Sequence, residues 1–517
     1  MGFIHTSLMA VLGYAEIVLG LLCFLFLRHY WKHNKNSAPI INWPVVGMLP
    51  GLLQNATHMY DCTTRALKLY GGTVEVKGPW CIGMDFFFTS DPLNAHYILS
   101  KNFRNYEKGP EIREILQPLG DGIINSDSDW WAFQRKMMHS IMKNNKFELF
   151  SLKVVQQKVV NRLIPVLNHV SISKIEVDFQ DVFKRFTFDN TCLMVLGFDT
   201  KSLSVEFPKL TYEKAFDVIE EGLVYRQILP QWCWKVQRWL QIGQEKKLRK
   251  ACDIFDSFVN QRIASKQEEL SRDRTQLEEA EFDLLTACMM HEDIVNMGFC
   301  NKSNKLIRDT AFNLMVAGSD TMSAALTWFF WQIATHPSVE MKIMKEMTEN
   351  LMVKVDKKWE CFGVQELDTL VYLHAALCEA LRLYPSVAFN PRTSVREDIL
   401  PSGHRIRPNT PIMVSLYAMG RMEEIWGEDC MQYKPERWIS EKGGLIFVPS
   451  YKFTAFSGGP RSCLGKAMAF IQLKTIATSI IWNYHVEMVA GHSVSPCVSP
   501  ILRMKHGLKV RITKRST

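Results

Sequence analysis

One cysteine stands in a setting suited to a negatively charged sulfur. The stretch Phe456-Ser457-Gly458-Gly459-Pro460-Arg461-Ser462-Cys463-Leu464-Gly465 is a glycine-rich turn, and helix-like sequence from Lys466 to Ile480 follows it. At the mouth of a helix, unpaired backbone N–H groups and the helix dipole favour a thiolate. Glycines let the backbone approach a flat, bulky group without Cβ clashes. A cysteine taken alone is more often a small buried apolar residue; the ten-residue pattern around Cys463 is what points to chemistry.

Three further constellations have types and spacings that could serve the same site. Trp131 and Arg135 place an indole N–H and a guanidinium at i and i+4 on one helix face; the bland alternative is a half-buried Trp beside a solvated Arg. Ala317-Gly318-Ser319-Asp320-Thr321-Met322-Ser323 gathers poor helix formers inside an apolar segment. A local opening of the helix is expected there, with the Thr321 hydroxyl competing for a backbone carbonyl. If Asp320 were merely part of a polar patch on a buried helix, it would stand unpaired at a cost of several kcal/mol. Glu379 and Arg382 put opposite charges at i and i+3, worth under about 1 kcal/mol if exposed.

The elements that must position these residues can be read in outline. Leu8 to Leu27 is an apolar run interrupted by Glu16, and its length of about 20 residues matches one bilayer crossing. A cleaved signal peptide competes with this reading, but a basic n-region and a clear cleavage site are lacking. Arg28, Lys32 and Lys35 follow, so the positive-inside rule keeps the rest of the chain in the cytosol. The nominal myristoylation signal at Met1-Gly2 with Thr6 is redundant beside a spanning helix. Pro39, Pro44 and Pro50 then make a stiff, extended connector. The expected division is an anchor over 1–35, a proline-rich hinge over 36–52 and a catalytic domain over 53–517.

Short strands are expected in Gly72 to Ser90, a hairpin region in Ile399 to Val414 and terminal strands in His485 to Lys514. Helical patterns dominate elsewhere. Lys266 to Glu281 reads as a solvated helix end and loop. Asn304 to His336, stopped by Pro337, would span about 50 Å as one helix at about 1.5 Å per residue. With 517 residues, 47% apolar and 22% charged, a large core is feasible and disorder is not expected. The net charge of +8 lacks a Lys/Arg block of the nucleic-acid kind and favours a membrane surface or an acidic protein partner. Thirteen scattered cysteines without a C-x-x-C pair fit reduced thiols better than a disulfide framework or a zinc site.

Taken in order, these pieces resemble the cytochrome P-450 superfamily. The Cys463 turn matches F-x-x-G-x-R-x-C-x-G at every fixed position. Ala317 to Ser323 resembles A-G-x-D-T-[TS]-S with Met322 in place of a hydroxyl residue, and Glu379 to Arg382 with Pro435-Glu436-Arg437-Trp438 matches E-x-x-R and P-E-R-[FW]. The resemblance implies a mainly α (α+β) fold, a helical prism with small β-sheets, preceded by an N-terminal transmembrane helix. It implies haem, with Cys463 as thiolate ligand of the iron, Phe456, Arg461 and Gly465 in the cofactor loop, and Trp131 and Arg135 at a propionate. It assigns proton delivery to Asp320 and Thr321, and a structural network to Glu379, Arg382 and Arg437. Thiolate ligation favours O–O cleavage and so oxidation of unactivated C–H bonds. The chain carries no visible Rossmann or flavin signature, so electrons must come from a separate protein; the resemblance implies NADPH-cytochrome P-450 reductase, an acidic flavoprotein suited to a basic partner.

Finer similarity is to plant fatty-acid ω-hydroxylases and mid-chain alkane hydroxylases, and to relatives that couple phenols in norbelladine-type alkaloids. It is carried by Asn42-Trp43-Pro44, Gly120 to Asp127 and Ala325 to Trp331. Ser319, Met322 and Ala388-Phe389-Asn390-Pro391-Arg392 depart from the aliphatic pattern. Three readings follow: a membrane-bound monooxygenase of the endoplasmic reticulum acting on a long aliphatic chain, a specialised-metabolite oxidase coupling phenols, and a haem sensor or electron carrier. The last would not need Asp320 and Thr321. Ile112 to Ile124, Val316, Ser319, Val387 to Phe389 and Pro500 to Leu502 are the expected pocket residues by position.

Overall fold

The computed structural model describes residues 20–21, 23–32, 40–80, 85–208, 210–272, 283–297, 301–351 and 362–515. Most of the expected anchor lies outside them. Residues 23–32 are helical, and among the described residues no helix is long and apolar enough to cross a membrane. The connector is not extended throughout. Trp43 and Gly47 pair in a tight turn, and a short helix, Leu49–Gln54, begins with Pro50 in its first turn, where the missing N–H would have had no partner in any case.

Eight helices frame the site: α1 (Ser128–Met142), α2 (Phe179–Leu196), α3 (Thr211–Ile228), α4 (Gln231–Leu240), α5 (Gly243–Arg272), α6 (Asn301–Thr335), α7 (Val371–Leu383) and α8 (Lys466–Asn483). The strands are β1 (Thr73–Val76), β2 (Phe86–Thr89), β3 (Tyr106–Glu107), β4 (Val177–Asp178), β5 (Phe389–Ser394), β6 (Asp398–Ile399), β7 (Arg405–Ile406), β8 (Pro411–Ser415), β9 (Tyr484–Met488) and β10 (Lys509–Lys514). They form a five-stranded sheet in the order β1-β2-β8-β5-β3, a three-stranded sheet β4-β10-β9 and the two-stranded β6-β7. In the first, β2 runs parallel to β8, with Phe87 opposite Ile412, while β5 and β8 are antiparallel, with Asn390 opposite Val414.

The helix α6 is the shared beam of two apolar cores. Its early residues Leu306, Ile307, Ala311, Phe312 and Met315 pack with α3 and α5, and its later residues Met322 to Ile333 pack with α2, α7 and α8. Phe330 meets Phe179 edge-on and stacks on Phe183 of α2. The polar stretch Ser319 to Thr321 falls at the seam between the cores. The expected opening of the helix is absent: α6 is helical without interruption from Asn301 to Thr335. Packing on both sides outweighs the weak local propensities. Lys266 also departs from expectation. It is buried rather than solvated, and its ammonium lies 2.9 Å from the fully buried carboxylate of Asp283.

Polar side chains of α6 hold the loop that precedes α1. Asp121 and Ile124 donate their N–H groups to Asp309 Oδ2 (2.9 Å) and Asn313 Oδ1 (2.8 Å), and Asn313 Nδ2 donates to Leu119 O (2.8 Å). A Cβ on Gly122 would lie 2.2 Å from Asn313 Nδ2, so glycine is what lets the loop reach the helix.

Helix α4 is strongly two-faced. Trp234 is buried, with the guanidinium groups of Arg226 and Arg238 at 4.8 and 5.2 Å from its ring. Trp232, Val236, Trp239 and Leu240 are exposed, Trp239 to 81%.

Candidate active site

The turn carrying Cys463 is fixed by its own backbone and by a neighbouring strap. The Cys463 N–H donates to Phe456 O at 2.9 Å, Ser457 adopts φ +58°, and Gly459 adopts φ +63°. A Cβ on Gly459 would lie 1.9 Å from Leu99 O, so both the φ angle and the close approach exclude other residues. Gly465 caps α8, and its N–H points to the Cys463 sulfur. The side chain of Cys463 is solvent-accessible although protein surrounds it on most sides. That surrounding pushes the thiol up; the Gly465 N–H and the charges of Arg135 and Lys466 oppose the rise without cancelling it. A Lewis acid bound to the sulfur would hold it as the thiolate.

Beside this turn, cations gather with few partners. Arg461 donates to Ser126 O (2.8 Å) and Asp127 Oδ1 (2.7 Å), and its guanidinium lies 4.6 Å from the centre of the Trp131 ring. Arg461 thus covers Trp131, and Arg135, half-buried, lies close enough to Cys463 for their charges to interact. Arg392 donates to Asn390 Oδ1 (2.7 Å) and Pro391 O (2.8 Å). The Nε groups of both Arg392 and Arg461 are buried without a partner. Burial, then the charge of Arg461, push the Arg392 guanidinium down to about 9. Lys108 is likewise held well below its ordinary range, by burial and then by Arg392 and Arg461. Such mutual repulsion and orphaned N–H groups fit an acidic ligand, and planar guanidinium groups suit carboxylates. Sequence reading missed Arg392 and Lys108 as site residues. Arg392 stood out only as the end of the Ala388 to Arg392 departure from the aliphatic pattern; Lys108 left no signal.

On α6, the Thr321 hydroxyl donates to Ala317 O at 2.6 Å, while Ser386 Oγ donates to Thr321 O at 2.7 Å. Asp320 is 1% exposed and ion-paired: Arg503 Nη2 lies 2.9 Å from its Oδ1, so the unpaired carboxylate that the polar-patch reading implied does not arise. Asp320 faces α3 and the chain after β9, where Arg503 also donates to Glu220. Ser319 is buried with its hydroxyl unpartnered.

Behind the turn, Arg382 pairs with Glu379 in a fully buried fork, Nε to Oε2 at 2.7 Å and Nη2 to Oε1 at 2.8 Å. Arg437 Nε (3.3 Å) and Trp438 Nε1 (2.9 Å) also donate to Glu379. The remaining N–H groups of Arg382 reach the carbonyls of Gly420, Cys430 and Gln432, so α7 is bound to the chain that leads into the Cys463 turn. A separate polar cleft of about 870 Å³ between α3, α5 and α6 lies away from Cys463. Its charges are cross-paired, as in Arg226–Glu245 at 2.7 Å and Lys305–Asp121 at 2.6 Å.

The family model described as Cytochrome P450 matches residues 38–512. The chain belongs to the cytochrome P450 family. It is 41% identical over 509 residues to Alkane hydroxylase MAH1 of Arabidopsis thaliana, covering 98% of this chain and all of that one. It is 38% identical over 510 residues to Noroxomaritidine synthase 2 of Narcissus pseudonarcissus, covering 97% of each. Two solved P450 structures share the fold. These are a Cytochrome P450 (CYP102L1), at TM-score 0.73 and 18% identity over 91% of this chain and 97% of that one, and the cytochrome P450DA heme domain, at TM-score 0.75 and 16% identity over 92% and 97%. This P450 is a haem-thiolate monooxygenase with the mainly helical P450 fold, small sheets and a hydrophobic substrate, and it takes electrons from a redox partner. The residues present fit the haem: a sulfur with an open approach, and a cluster of arginines with unmet N–H groups for its acidic side chains.

Proposed function

We propose that this P450 hydroxylates a long-chain aliphatic substrate, an alkane or fatty acid. The full-length similarity to a relative named as an alkane hydroxylase carries the reading. The departures noted in the sequence are consistent with it. Met322 is buried in the apolar core, Ala388 is buried, and Asn390 donates to Ser457 Oγ at 3.0 Å. These residues serve the scaffold around the cofactor turn, so their difference from the aliphatic pattern does not require a different substrate.

In this reading Cys463 ligates the haem iron in the loop formed by Phe456, Arg461 and Gly465. Arg392, Arg461, Arg135, Trp131 and Lys108 hold its acidic edge. Bound haem supplies the dioxygen chemistry, helped by electron donation from the thiolate. Thr321 offers a hydroxyl and Asp320 a carboxylate for moving protons on α6. Glu379, Arg382 and Arg437 keep the turn in place. NADPH-cytochrome P450 reductase supplies the electrons. Residues 1–35 anchor the chain in the endoplasmic reticulum membrane, 36–52 form the hinge and 53–517 the cytosolic catalytic domain; the apolar face of α4 adds a second contact with lipid.

Phenol coupling is the second reading, favoured by the relatives named as noroxomaritidine synthases. Spectral titration of the purified, haem-loaded protein with lauric acid, alkanes and norbelladine derivatives separates the two. A response to the aliphatic ligands, followed by reductase-dependent formation of an alcohol, is the expected result. A response confined to norbelladine derivatives, with a coupled product that gains no oxygen, overturns it.

A further inference from the structure

Asp320 does not face α3 alone. Arg503 bridges it to Glu220 of α3, and Asp217, three residues earlier on the same face of that helix, is paired with Lys184 of α2. Exposure of the carboxyl side chains falls steadily inward, from 32% at Asp217 through 12% at Glu220 to 1% at Asp320. Three carboxyls here face two cations, Lys184 and Arg503; the nearby Arg185 is taken up by Asp181 and Glu213. Both carboxylate oxygens of Asp320 lack a directed hydrogen bond, because no guanidinium N–H is aimed along the short approach from Arg503. A proton carried by Glu220 would give Asp320 a donor and leave two carboxylates facing the two cations.

We propose that Asp217, Glu220 and Asp320 form a carboxylate line that conducts protons from solvent beside α3 to the centre of α6, with Arg503 as its positioning residue. The proposal rests on the assignment of proton delivery to Asp320 and Thr321. In each step Asp320 gives its proton toward the Thr321 side of α6, and Glu220 then gives its own proton to the Asp320 carboxylate. The Glu220 carboxylate is then reprotonated through Asp217, and solvent hydronium is the source. Burial, followed by the adjacent Asp320 charge, holds the Glu220 proton well above the usual carboxylate range, with Arg503 opposing.

The test uses the full-length, haem-loaded protein, with variants accepted only if they keep the carbon monoxide band of a thiolate-ligated haem. Infrared difference spectra at neutral pH are expected to contain the C=O stretch of a protonated carboxylic acid, lost in Glu220→Gln. In turnover with reductase and the ligand class chosen by the spectral titration, Glu220→Gln is expected to raise the share of electrons lost as hydrogen peroxide about tenfold. Glu220→Asp should restore much of the coupling, and Asp217→Asn should fall between. A carboxylic band that survives Glu220→Gln, or a peroxide share that does not change, overturns the line. Asp320→Asn and Thr321→Ala separate the two levels. If both keep full coupling, the proton-delivery assignment itself fails. If they uncouple while Glu220→Gln does not, only the line fails. Should Glu220→Gln not fold, the Glu220→Asp and Asp217→Asn measurements decide in its place.

Discussion

At Arg392 the fold holds a positive charge where burial and Arg461 oppose it. A basic group pushed down to about 9 in the folded chain carries its full penalty below that pH. The penalty is relieved as pH rises from about 9 toward the usual arginine range, because the unfolded chain then binds more protons. In the proposed reading, carboxylates of the haem held by Arg392 would relieve it at neutral pH. Arg392→Met is therefore expected to melt no lower than wild type when free of haem, yet to lose haem at least about tenfold faster to an acceptor protein, as befits a lost charged hydrogen bond. Arg392→Lys should restore little, since an ammonium cannot reproduce a planar fork. Cys463→Ala should abolish the sulfur-ligated Soret band seen on reduction under carbon monoxide. The cysteine was legible because its chemistry is written into ten consecutive residues. Arg392 and Lys108 were not, because their significance arises from charges that come together only when β5 and the residue after β3 meet the Cys463 turn.

Among the elements, α6 and α7 carry opposite lessons. The length of α6 followed from apolar periodicity ended by proline, but its expected opening at Ser319 to Thr321 did not occur, since local propensity cannot register the two cores that clasp the helix. Nor could spacing reveal that Asp309 and Asn313 reach back to the loop at 119–124, as such contacts leave no periodic trace. Asn313→Leu would strip Ile124 N–H and Leu119 O of their partners at a cost of about 1–3 kcal/mol. It is expected to lower the denaturation midpoint and broaden the distribution of product positions, read by mass spectrometry of the products. The Glu379–Arg382 pair, by contrast, was readable as i, i+3 spacing; its energetic weight came only with burial. Arg382→Ala leaves Glu379 buried with part of its partnership gone. The expected loss is about 3–5 kcal/mol, measured by denaturant unfolding, with a fall in haem-loaded yield.

For the molecule as a whole, the cofactor region and the junction of the two cores coincide along α6. A ligand that binds only the folded chain stabilises it by about 4 kcal/mol at a thousandfold excess over its Kd. Haem should accordingly raise the melting temperature of the whole chain, and hydrogen exchange should show the largest protection in α1, α6 and the segment before α8. The two-faced α4 bears on how the protein must be handled. Removing residues 1–35, the proposed anchor, would leave the indoles of Trp232 and Trp239 on the outside of the remaining chain. That shortened form is expected to self-associate on a sizing column unless detergent is present. Replacing both indoles with serine, which leaves the buried Trp234 in place, should yield single particles suitable for crystallisation.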